Sequence, residues 1–473
     1  MSETSQPVDL LISVTRGGNV TLVAQIEGQL RRTIRDGALR GGSQLPSTRD
    51  LASQLGVSRR VAVEAYAQLA AEGYLELRQG ARPRVSLNAG AVDATPSDPL
   101  HVPSRLRFDF RPSRPNLAAF PRASWLRSLR TALAEMTDAE LGYGDPRGAD
   151  SLRLALADYL GRVRGVVAEP ERVIVTFGYA QGLYLVCRAL AQAGARRIGM
   201  EDPSNIDDRE IVSSAGLEPV PIAVDEQGLR VDELERASPD AVIVTPAHQQ
   251  PTGVVLSRER RTALLRWLRA RRAYAIEDDY DAEYRYDRVA IGALQGLAPD
   301  HVVYAGTTSK TLVPALRIGW LVLPAALVEG VTAAKIVSDR GATRIEEHAF
   351  ADFIARGELD RHLRRMRGRY RKQRDALVDA IARELPEATV TGISAGLHVT
   401  VRLPKTYDDA GLREAAARQR ILFNTMTDYR ERGDEGAPAL MLGYGDVPEP
   451  AIVPGLREVA KAIRAASDAR ERG

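Results

Sequence analysis

The sequence predicts two parts of different architecture: a small helical domain that ends in a β-hairpin, and a large α/β domain with a mostly parallel sheet. Two observations predict this division. Three short segments with helical spacing lie between Thr21 and Glu72. From Phe108 onward, helical stretches alternate with short β-branched runs, which is typical of strand–helix–strand units and a parallel sheet.

The composition is that of a globular protein. Of the 473 residues, 44% are hydrophobic, and the formal net charge is only +3. The single cysteine, Cys187, excludes an internal disulfide and a cysteine-rich metal site. No apolar run approaches the roughly 20 residues of a membrane span, and Met1–Leu10 is unlike a secretion signal. We therefore expect a cytoplasmic protein with no membrane partner.

The amino-terminal part is predicted to hold three helices. The first has apolar residues at helical spacing, at Leu22, Ile26, Leu30 and Ile34. Ser47 is the expected N-cap of the second helix, Thr48–Leu55, and Ser58 is that of the third. A glycine-containing turn between two such helices is typical of a helix-turn-helix, whose second helix enters the major groove of DNA.

Two alternating runs after the third helix, Tyr74–Arg78 and Arg84–Leu87, predict a hairpin wing. Between residues 20 and 90, ten arginines oppose six acidic residues, and ten minus six gives about +4. We predict a winged helix-turn-helix over residues 16–87 that binds double-stranded promoter DNA. Its DNA contacts are predicted at Arg49, Ser58, Arg59, Arg60, Arg78, Arg82 and Arg84. A small helical domain with solvated arginines is the alternative.

The segments Leu45–Ala52, Leu55–Arg59 and Glu72–Leu75 resemble the winged helix of GntR-type repressors. Two positions depart from that family's pattern. Arg60–Val61 stands where the family usually has a polar residue and threonine, a change expected to remove a phosphate contact. Arg82–Pro83 stands where the wing usually has glycine and a hydroxyl, and it offers an arginine to the minor groove.

Residues 88–107 are rich in Pro, Ser and Asp without periodicity, which predicts an extended linker. The large domain then spans residues 108–473. Its predicted strands are Arg172–Thr176, Arg197–Glu201, Ala241–Thr245, Tyr274–Glu277, Val302–Ala305 and Gly319–Val322. In a parallel sheet their carboxyl ends meet at one edge, where ligands bind.

Polar segments follow several of these strands. Phe177–Gly182 is predicted as a loop that opens the helix Leu183–Leu190, and amides at such a helix start suit a phosphate. Another segment, Thr307–Gly319, contains Lys310, one of only five lysines. Burial lowers the pKa of a lysine and frees its amine to form an imine. For the isolated residue, a surface lysine in a turn is the alternative.

Together the segments fit pyridoxal phosphate. Lys310 would form the imine, and Asp278 would keep the pyridine nitrogen protonated. Tyr280 would donate to the phenolate oxygen of the ring, while Arg317 and nearby hydroxyls would neutralise the phosphate. A solvated acidic loop and a divalent-metal site are the alternatives for Glu277–Asp281. Metal is the weaker of these because no histidine lies within a few residues of the carboxylates, and no metal site is predicted.

The segments His248–Gly253 and Ile276–Asp281 and the Lys310 stretch resemble fold-type I aminotransferases. They do so in the form fused to a GntR winged helix: the MocR-type regulators, of which the GabR-like group is the best known. The resemblance covers about residues 20–460. It implies a fold-type I, PLP-dependent aminotransferase-like domain with a small C-terminal α/β subdomain. The implied cofactor contacts are Lys310, Asp278, Tyr280, Arg317, Tyr179, Ala180, Thr307 and Ser309, with Tyr143 reaching the phosphate of the neighbouring subunit in a homodimer.

Three places on the substrate side depart from the family's pattern. Asn205 stands where an aromatic ring often stacks on the cofactor, and Asp207 where GABA-responsive members have an arginine. Leu440–Tyr444 has no arginine where aminotransferases often hold the substrate carboxylate. We therefore expect cofactor binding without a GABA-like ligand.

The resulting hypothesis is a homodimeric transcription factor. It would sense pyridoxal phosphate, alone or with an amine or amino acid, and control genes of vitamin B6 or amine metabolism. Two alternatives remain open. One is an active aminotransferase with an accessory DNA-binding domain, and the other is a DNA-binding protein whose large domain holds no cofactor.

Overall fold

A computed structural model of the protein divides into two compact units, residues 1–103 and 104–473. It describes residues 12–17, 20–78, 80–87, 106–286, 291–341, 343–405, 407, 409–431 and 438–471, the last five without side chains. The division falls within the predicted linker, residues 88–107, most of which lies outside the described residues. None of the described helices is long and apolar enough to cross a bilayer.

The first unit is a winged helix-turn-helix, as predicted. Its elements are α1 (Leu22–Arg35), α2 (Thr48–Leu55), α3 (Arg59–Ala71), β1 (Leu75–Glu76) and β2 (Arg84–Val85). Ser47 caps α2, because its hydroxyl accepts from the Asp50 amide at 3.2 Å while the Asp50 carboxylate accepts from the Ser47 amide at 3.3 Å. Gly56 ends α2 with a φ of 63°. The antiparallel wing strands are shorter than the predicted runs.

The second unit opens with β3 (Phe108–Asp109) and is built around an eight-stranded sheet. The strands of that sheet are β4 (Val173–Thr176), β5 (Arg197–Asp202), β6 (Glu218–Asp225), β7 (Gly228–Leu229), β8 (Ala241–Val244), β9 (Tyr274–Asp278), β10 (Val302–Thr307) and β11 (Gly319–Val322). Their order is β4-β11-β10-β9-β8-β5-β6-β7. The pairs from β10 through β6 are parallel, while β11 runs antiparallel to both neighbours. The mostly parallel sheet is confirmed.

Helices cover both faces of this sheet, and others belong to the carboxyl-terminal part. The helices of the second unit are α4 (Arg122–Glu135), α5 (Asp150–Arg164), α6 (Gly178–Gln192), α7 (Ile206–Ser214), α8 (Val231–Ala237), α9 (Arg258–Arg271), α10 (Thr308–Thr311), α11 (Ala325–Ser338), α12 (Arg344–Ala355), α13 (Glu358–Glu384), α14 (Asp409–Arg418) and α15 (Glu449–Glu471). Val303 of β10 packs in one buried cluster with Leu183 of α6, and Val302 in another with Leu264 of α9. Burial on both faces explains why these strands read as continuous apolar runs.

The prediction for the start of α6 was wrong. The segment Phe177–Gly182 is not a loop, since α6 begins at Gly178, directly after β4. The Gln181 side chain accepts from the Phe177 amide at 2.8 Å, and Gly178 turns the chain with a φ of 78°. Tyr179 and Ala180 therefore lie in the first turn of the helix.

A small carboxyl-terminal subdomain completes the unit, as the resemblance implied. Its strands are β12 (Thr389–Thr391), β13 (His398–Arg402), β14 (Ile421–Leu422), β15 (Asn424–Thr425) and β16 (Ala439–Gly443). Four of them form an antiparallel sheet in the order β12-β13-β16-β15. The fifth, β14, pairs in parallel with β3, so the start of the second unit is bound to its end.

Candidate cofactor site and DNA-binding surface

The carboxyl ends of β9 and β10 bring Asp278 and Lys310 to the same edge of the sheet. Asp278 is the last residue of β9 and lies opposite Ala305 of β10. Lys310 follows β10 on the single turn of α10 and lines a cavity of about 970 Å³. This edge is where ligands bind in open parallel sheets.

Burial shifts the pKa of both groups toward the neutral form. The pKa of Lys310 is lowered by loss of solvent, and the nearby Asp278 and Asp281 charges oppose that effect. The pKa of Asp278 is raised well above its ordinary value, mainly by burial. Asp278 Oδ1 has no hydrogen-bond partner among the described residues. Such a carboxyl group calls for a cationic or proton-sharing partner from a ligand.

Tyr280 lies two residues beyond Asp278 and is buried. Its hydroxyl donates to the His248 carbonyl at 3.1 Å and lies 3.1 Å from Nδ1 of the same histidine. His248 Nδ1 is in turn 3.1 Å from Asp281 Oδ2. The three side chains form one buried cluster, which holds the Tyr280 hydroxyl in place.

Tyr179, in the first turn of α6, contacts another buried acid, Asp208. Its hydroxyl donates to Asp208 Oδ2 at 3.3 Å. Burial raises the pKa of Asp208 to about 7, and the Asp208 charge in turn raises the pKa of Asp278. Sequence reasoning missed Asp208. The available signal was its position three residues after Asn205, whose side-chain amide donates to it at 3.2 Å.

An anion cradle lies where β4, α6 and the Lys310 turn meet. Arg317 Nη2 donates to the Phe177 carbonyl at 2.8 Å. A Cβ on Gly178 would lie 3.1 Å from that nitrogen, so glycine allows the close approach. Phe177 supplies no side-chain cap, which leaves first-turn amides of α6, including those of Tyr179 and Ala180, free for an anion.

Two hydroxyls complete this cradle. Thr307 Oγ1 accepts from the Ser309 amide at 3.2 Å and lies 3.0 Å from Ser309 Oγ. The turn is fixed to the arginine's segment because the Thr308 amide donates to the Ile318 carbonyl at 2.9 Å. Arg317, Thr307, Ser309 and the α6 amides together suit a phosphate dianion.

These groups fit pyridoxal phosphate. The amine of Lys310, the unpartnered oxygen of Asp278, the Tyr280 hydroxyl and the anion cradle are the complementary groups that the cofactor requires. The structure brings eight of the nine predicted contacts to this edge of the sheet: Lys310, Asp278, Tyr280, Arg317, Tyr179, Ala180, Thr307 and Ser309.

The ninth predicted contact, Tyr143, lies elsewhere. Its side chain is 78% exposed, and it borders shallow cavities with Arg340, Ile336 and Val337. Within one protomer, Tyr143 does not join the Lys310 cavity, whose lining excludes it. Its predicted role therefore needs a second subunit.

The cavity wall includes residues from distant parts of the second unit. Asn205 and Asp207, both singled out in the sequence, line it together with Lys310. Sequence reasoning missed Arg111 and Arg114, which follow β3, and Asn424 of β15. These residues reach the wall through the pairing of β3 with β14, for which the sequence carries no local signal.

On the first unit, every predicted DNA contact is exposed: Arg49, Ser58, Arg59, Arg60, Arg78, Arg82 and Arg84. Ser58 precedes α3, but its hydroxyl makes no capping hydrogen bond. Arg82 of the wing lies 3.8 Å from Asp50 of α2. The exposed arginines lie on the wing and at the starts of α2 and α3, the elements that meet DNA in this fold.

Comparison with known proteins gives the same two parts. Residues 117–429 match the family described as aminotransferase class I and II, and residues 22–85 match the gntR family of bacterial regulatory proteins. The chain is 32% identical to the probable rhizopine catabolism regulatory protein MocR of Rhizobium meliloti, over 96% of each chain. It is also 32% identical to the HTH-type pyridoxine biosynthesis transcriptional regulator PdxR of Corynebacterium glutamicum, over 96% of this chain and 99% of that protein.

The large unit also resembles solved aminotransferase structures. A multiple substrate aminotransferase from Thermococcus profundus superposes with a TM-score of 0.70 at 25% identity, over 78% of this chain and 93% of that chain. An archaeal alanine:glyoxylate aminotransferase superposes with a TM-score of 0.69, also at 25% identity, over 76% and 91%. The likeness supports the aminotransferase fold of the large unit.

Proposed function

Since the chain belongs to the MocR-type transcriptional regulators, we propose that it acts as a homodimer on promoter DNA and responds to pyridoxal phosphate, alone or with an amine or amino acid. The chain is a DNA-binding regulator, and its aminotransferase-like domain uses pyridoxal phosphate. The observation that carries the proposal is the Lys310 amine on an open cavity beside the unpartnered Asp278 carboxyl.

Each cofactor contact has one role. When bound, pyridoxal phosphate supplies an aldehyde carbon that reacts with amines and a ring that withdraws electrons. The Lys310 amine would hold that carbon, and Asp278 would keep a proton at the ring nitrogen. Tyr280 would turn its hydroxyl from the His248 carbonyl to the ring oxygen. Arg317, Thr307, Ser309 and the α6 amides would neutralise and orient the phosphate.

The cofactor, alone or together with an amine bound beside it, is the proposed signal. One relative is named for pyridoxine biosynthesis and another for rhizopine catabolism, so regulators with this domain pair serve different pathways. Here Asn205 and Asp207 line the cavity in place of an aromatic ring and an arginine. We place the regulated genes in vitamin B6 or amine metabolism.

The domain division that supports this function is residues 16–87 for DNA binding, 88–107 for a linker and 108–473 for effector binding. Because its partner is chromosomal DNA, we place the protein in the cytoplasm. Homodimerisation is supported by the exposed Tyr143, which has no role in its own protomer's cavity, and by the two-fold operators that winged helix dimers bind.

The test is binding to the chain's own upstream region, measured by fluorescence anisotropy with and without pyridoxal phosphate. We expect the cofactor to change the Kd of the wild-type protein, and the protein to show a visible absorption band. Lys310→Ala should lose both the band and the response. The matched control is Lys461→Ala, an exposed lysine whose ion-pair partner among the described residues is Glu458. A colourless wild-type protein, or promoter binding equally responsive in Lys310→Ala, would contradict the proposal.

A further inference from the structure

Ser113 holds a strained position on the wall of the Lys310 cavity. Its φ is 59°, in the left-handed region that favours glycine. The residue is only 8% exposed, and its hydroxyl has no hydrogen-bond partner among the described residues. Buried hydroxyls are nearly always hydrogen-bonded, and strained residues outside glycine cluster at ligand sites. Ser113 therefore points to a ligand as its missing partner.

The segment around Ser113 cannot relax to find another partner. The Phe110 amide donates to the Leu422 carbonyl at 2.7 Å, and the Asn116 amide donates to the Tyr370 hydroxyl at 2.9 Å. Gly443 lies so close to the Arg111 carbonyl that a Cβ there would collide with it. The backbone is thus fixed on both sides of Ser113, and the hydroxyl is preorganised for a ligand.

The positive groups near Ser113 are already paired. Arg111 Nη2 lies 2.6 Å from Asp109 Oδ2, and Arg114 contacts the same carboxylate. Arg114 Nη2 is also 3.6 Å from Asp446. The Nε and Nη2 donors of Arg111 are thus occupied by Asp109, and acidic neighbours balance the charge of both guanidiniums, which weakens their attraction for a ligand carboxylate.

Two acidic residues lie on this wall, and Asp428 is paired with Arg413, whereas Asp207 is not paired with any described residue. Asp207 is exposed on α7, lines the cavity and makes no hydrogen bond or ion pair with any described residue. The amide side chains of Asn205, Gln250 and Asn424 line the same cavity. An available carboxylate beside neutralised arginines attracts a cation and repels an anion.

We propose that the effector of this protein is a diamine, with one nitrogen at the Lys310 end and a distal ammonium paired with Asp207. Ser113 accepts a hydrogen bond from the same ligand. This inference rests on the proposed function, because it assigns the ligand class of the same site. It makes Asp207 and Ser113 the residues that determine specificity.

The test compares 1,4-diaminobutane with 4-aminobutanoate, which have similar chain lengths and opposite charges at the distal end. Binding to the cofactor-loaded protein is followed by calorimetry and by the visible absorption band. We expect the diamine to bind at least tenfold more tightly. Asp207→Asn should abolish that preference, and the matched control is Glu210→Gln, an exposed carboxyl on the same helix outside the cavity.

Ser113→Gly tests the hydroxyl alone, because glycine suits the observed φ and preserves the fold. We expect severalfold weaker diamine binding with unchanged cofactor uptake. Equal or tighter binding of 4-aminobutanoate to the wild type, or a preference that survives in Asp207→Asn, overturns the inference. If either result is found while cofactor uptake and promoter binding persist, the diamine inference fails and the proposed function stands. A protein that takes up no cofactor contradicts the proposed function instead.

Discussion

Lys310 and Asp278 both lie in a buried site, which favours the uncharged form of each. Loss of solvent lowers the pKa of the lysine and raises that of the carboxyl, so the site favours the amine nucleophile and a carboxyl that needs a cationic partner to carry its charge. A protonated pyridine nitrogen is such a partner. The same burial that makes a charged, unpaired Asp278 unfavourable in the free protein therefore favours binding of a cofactor that brings a cationic group.

Another buried acid, Glu201, makes stability depend on pH. Burial raises the pKa of Glu201 to about 7. The folded state therefore keeps a proton that the unfolded state has lost above about pH 4.3, and stability falls as pH rises from there to about 7. Glu201→Gln should reduce this pH-dependent loss of unfolding free energy by up to about 3 kcal/mol. The amide oxygen of the glutamine still accepts from Thr245, but the side chain no longer titrates.

The measurement is the denaturant midpoint of the large unit at pH 5, 6 and 7. Glu235→Gln, an exposed acid on α8, is the matched control. Equal pH slopes for Glu201→Gln and the wild type would refute the assignment. Glu277, Glu283 and Asp208 also have a pKa raised to about 7, so part of the pH dependence should remain in the variant.

At the scale of elements, the two serines that precede α2 and α3 occupy the same position but do different things. Ser47 caps its helix, whereas the Ser58 hydroxyl makes no capping bond. Ser47→Ala should therefore destabilise the winged helix by about 1 kcal/mol. Ser58→Ala should leave its stability unchanged and weaken promoter binding, because the free hydroxyl is placed for a DNA phosphate.

Hydrogen exchange of the α2 and α3 amides in the full-length protein measures the stability change, and anisotropy measures DNA binding. Each serine serves as the control for the other. Loss of protection in Ser58→Ala equal to that in Ser47→Ala would show that both hydroxyls act as caps. Unchanged DNA binding in Ser58→Ala would remove this residue from the interface.

Elements with local signals were predicted well, and those that depend on distant contacts were not. The bounds of α2 were predicted because Ser47 and Gly56 mark both ends. Strand β6 was missed because Pro219 and Pro221 argue against a strand. It tolerates them near the sheet edge, where only the two-residue β7 lies outside it.

The candidate site shows the same contrast between residues with local sequence signals and residues placed by distant contacts. Lys310 and Asp278 follow strands and could be predicted from position in the chain. Ser113 could not, because its place on the cavity wall depends on the pairing of β3 with β14 more than three hundred residues later. Its left-handed backbone could not be predicted either, because the sequence has serine at a position whose conformation favours glycine.

At the scale of the whole molecule, an apolar patch on the second unit calls for a partner. Val337 is 89% exposed at the end of α11, and Ile336 and Leu141 are 47% and 56% exposed. Val337 and Ile336 line a cavity of about 620 Å³ with Tyr143 and Pro146. Clustered exposed apolar side chains mark interaction sites, and a two-fold dimer would bury this patch twice.

Val337→Glu should break that dimer, because two-fold symmetry would bury two carboxylates at one interface. We expect monomers in sedimentation analysis and weaker promoter binding, since a monomer holds one winged helix whereas the proposed dimer would bind with two. Leu297→Glu, also at an exposed apolar position, is the matched control. A Val337→Glu protein that stays dimeric would place the interface elsewhere. Monomers that keep full promoter affinity would separate DNA binding from dimerisation.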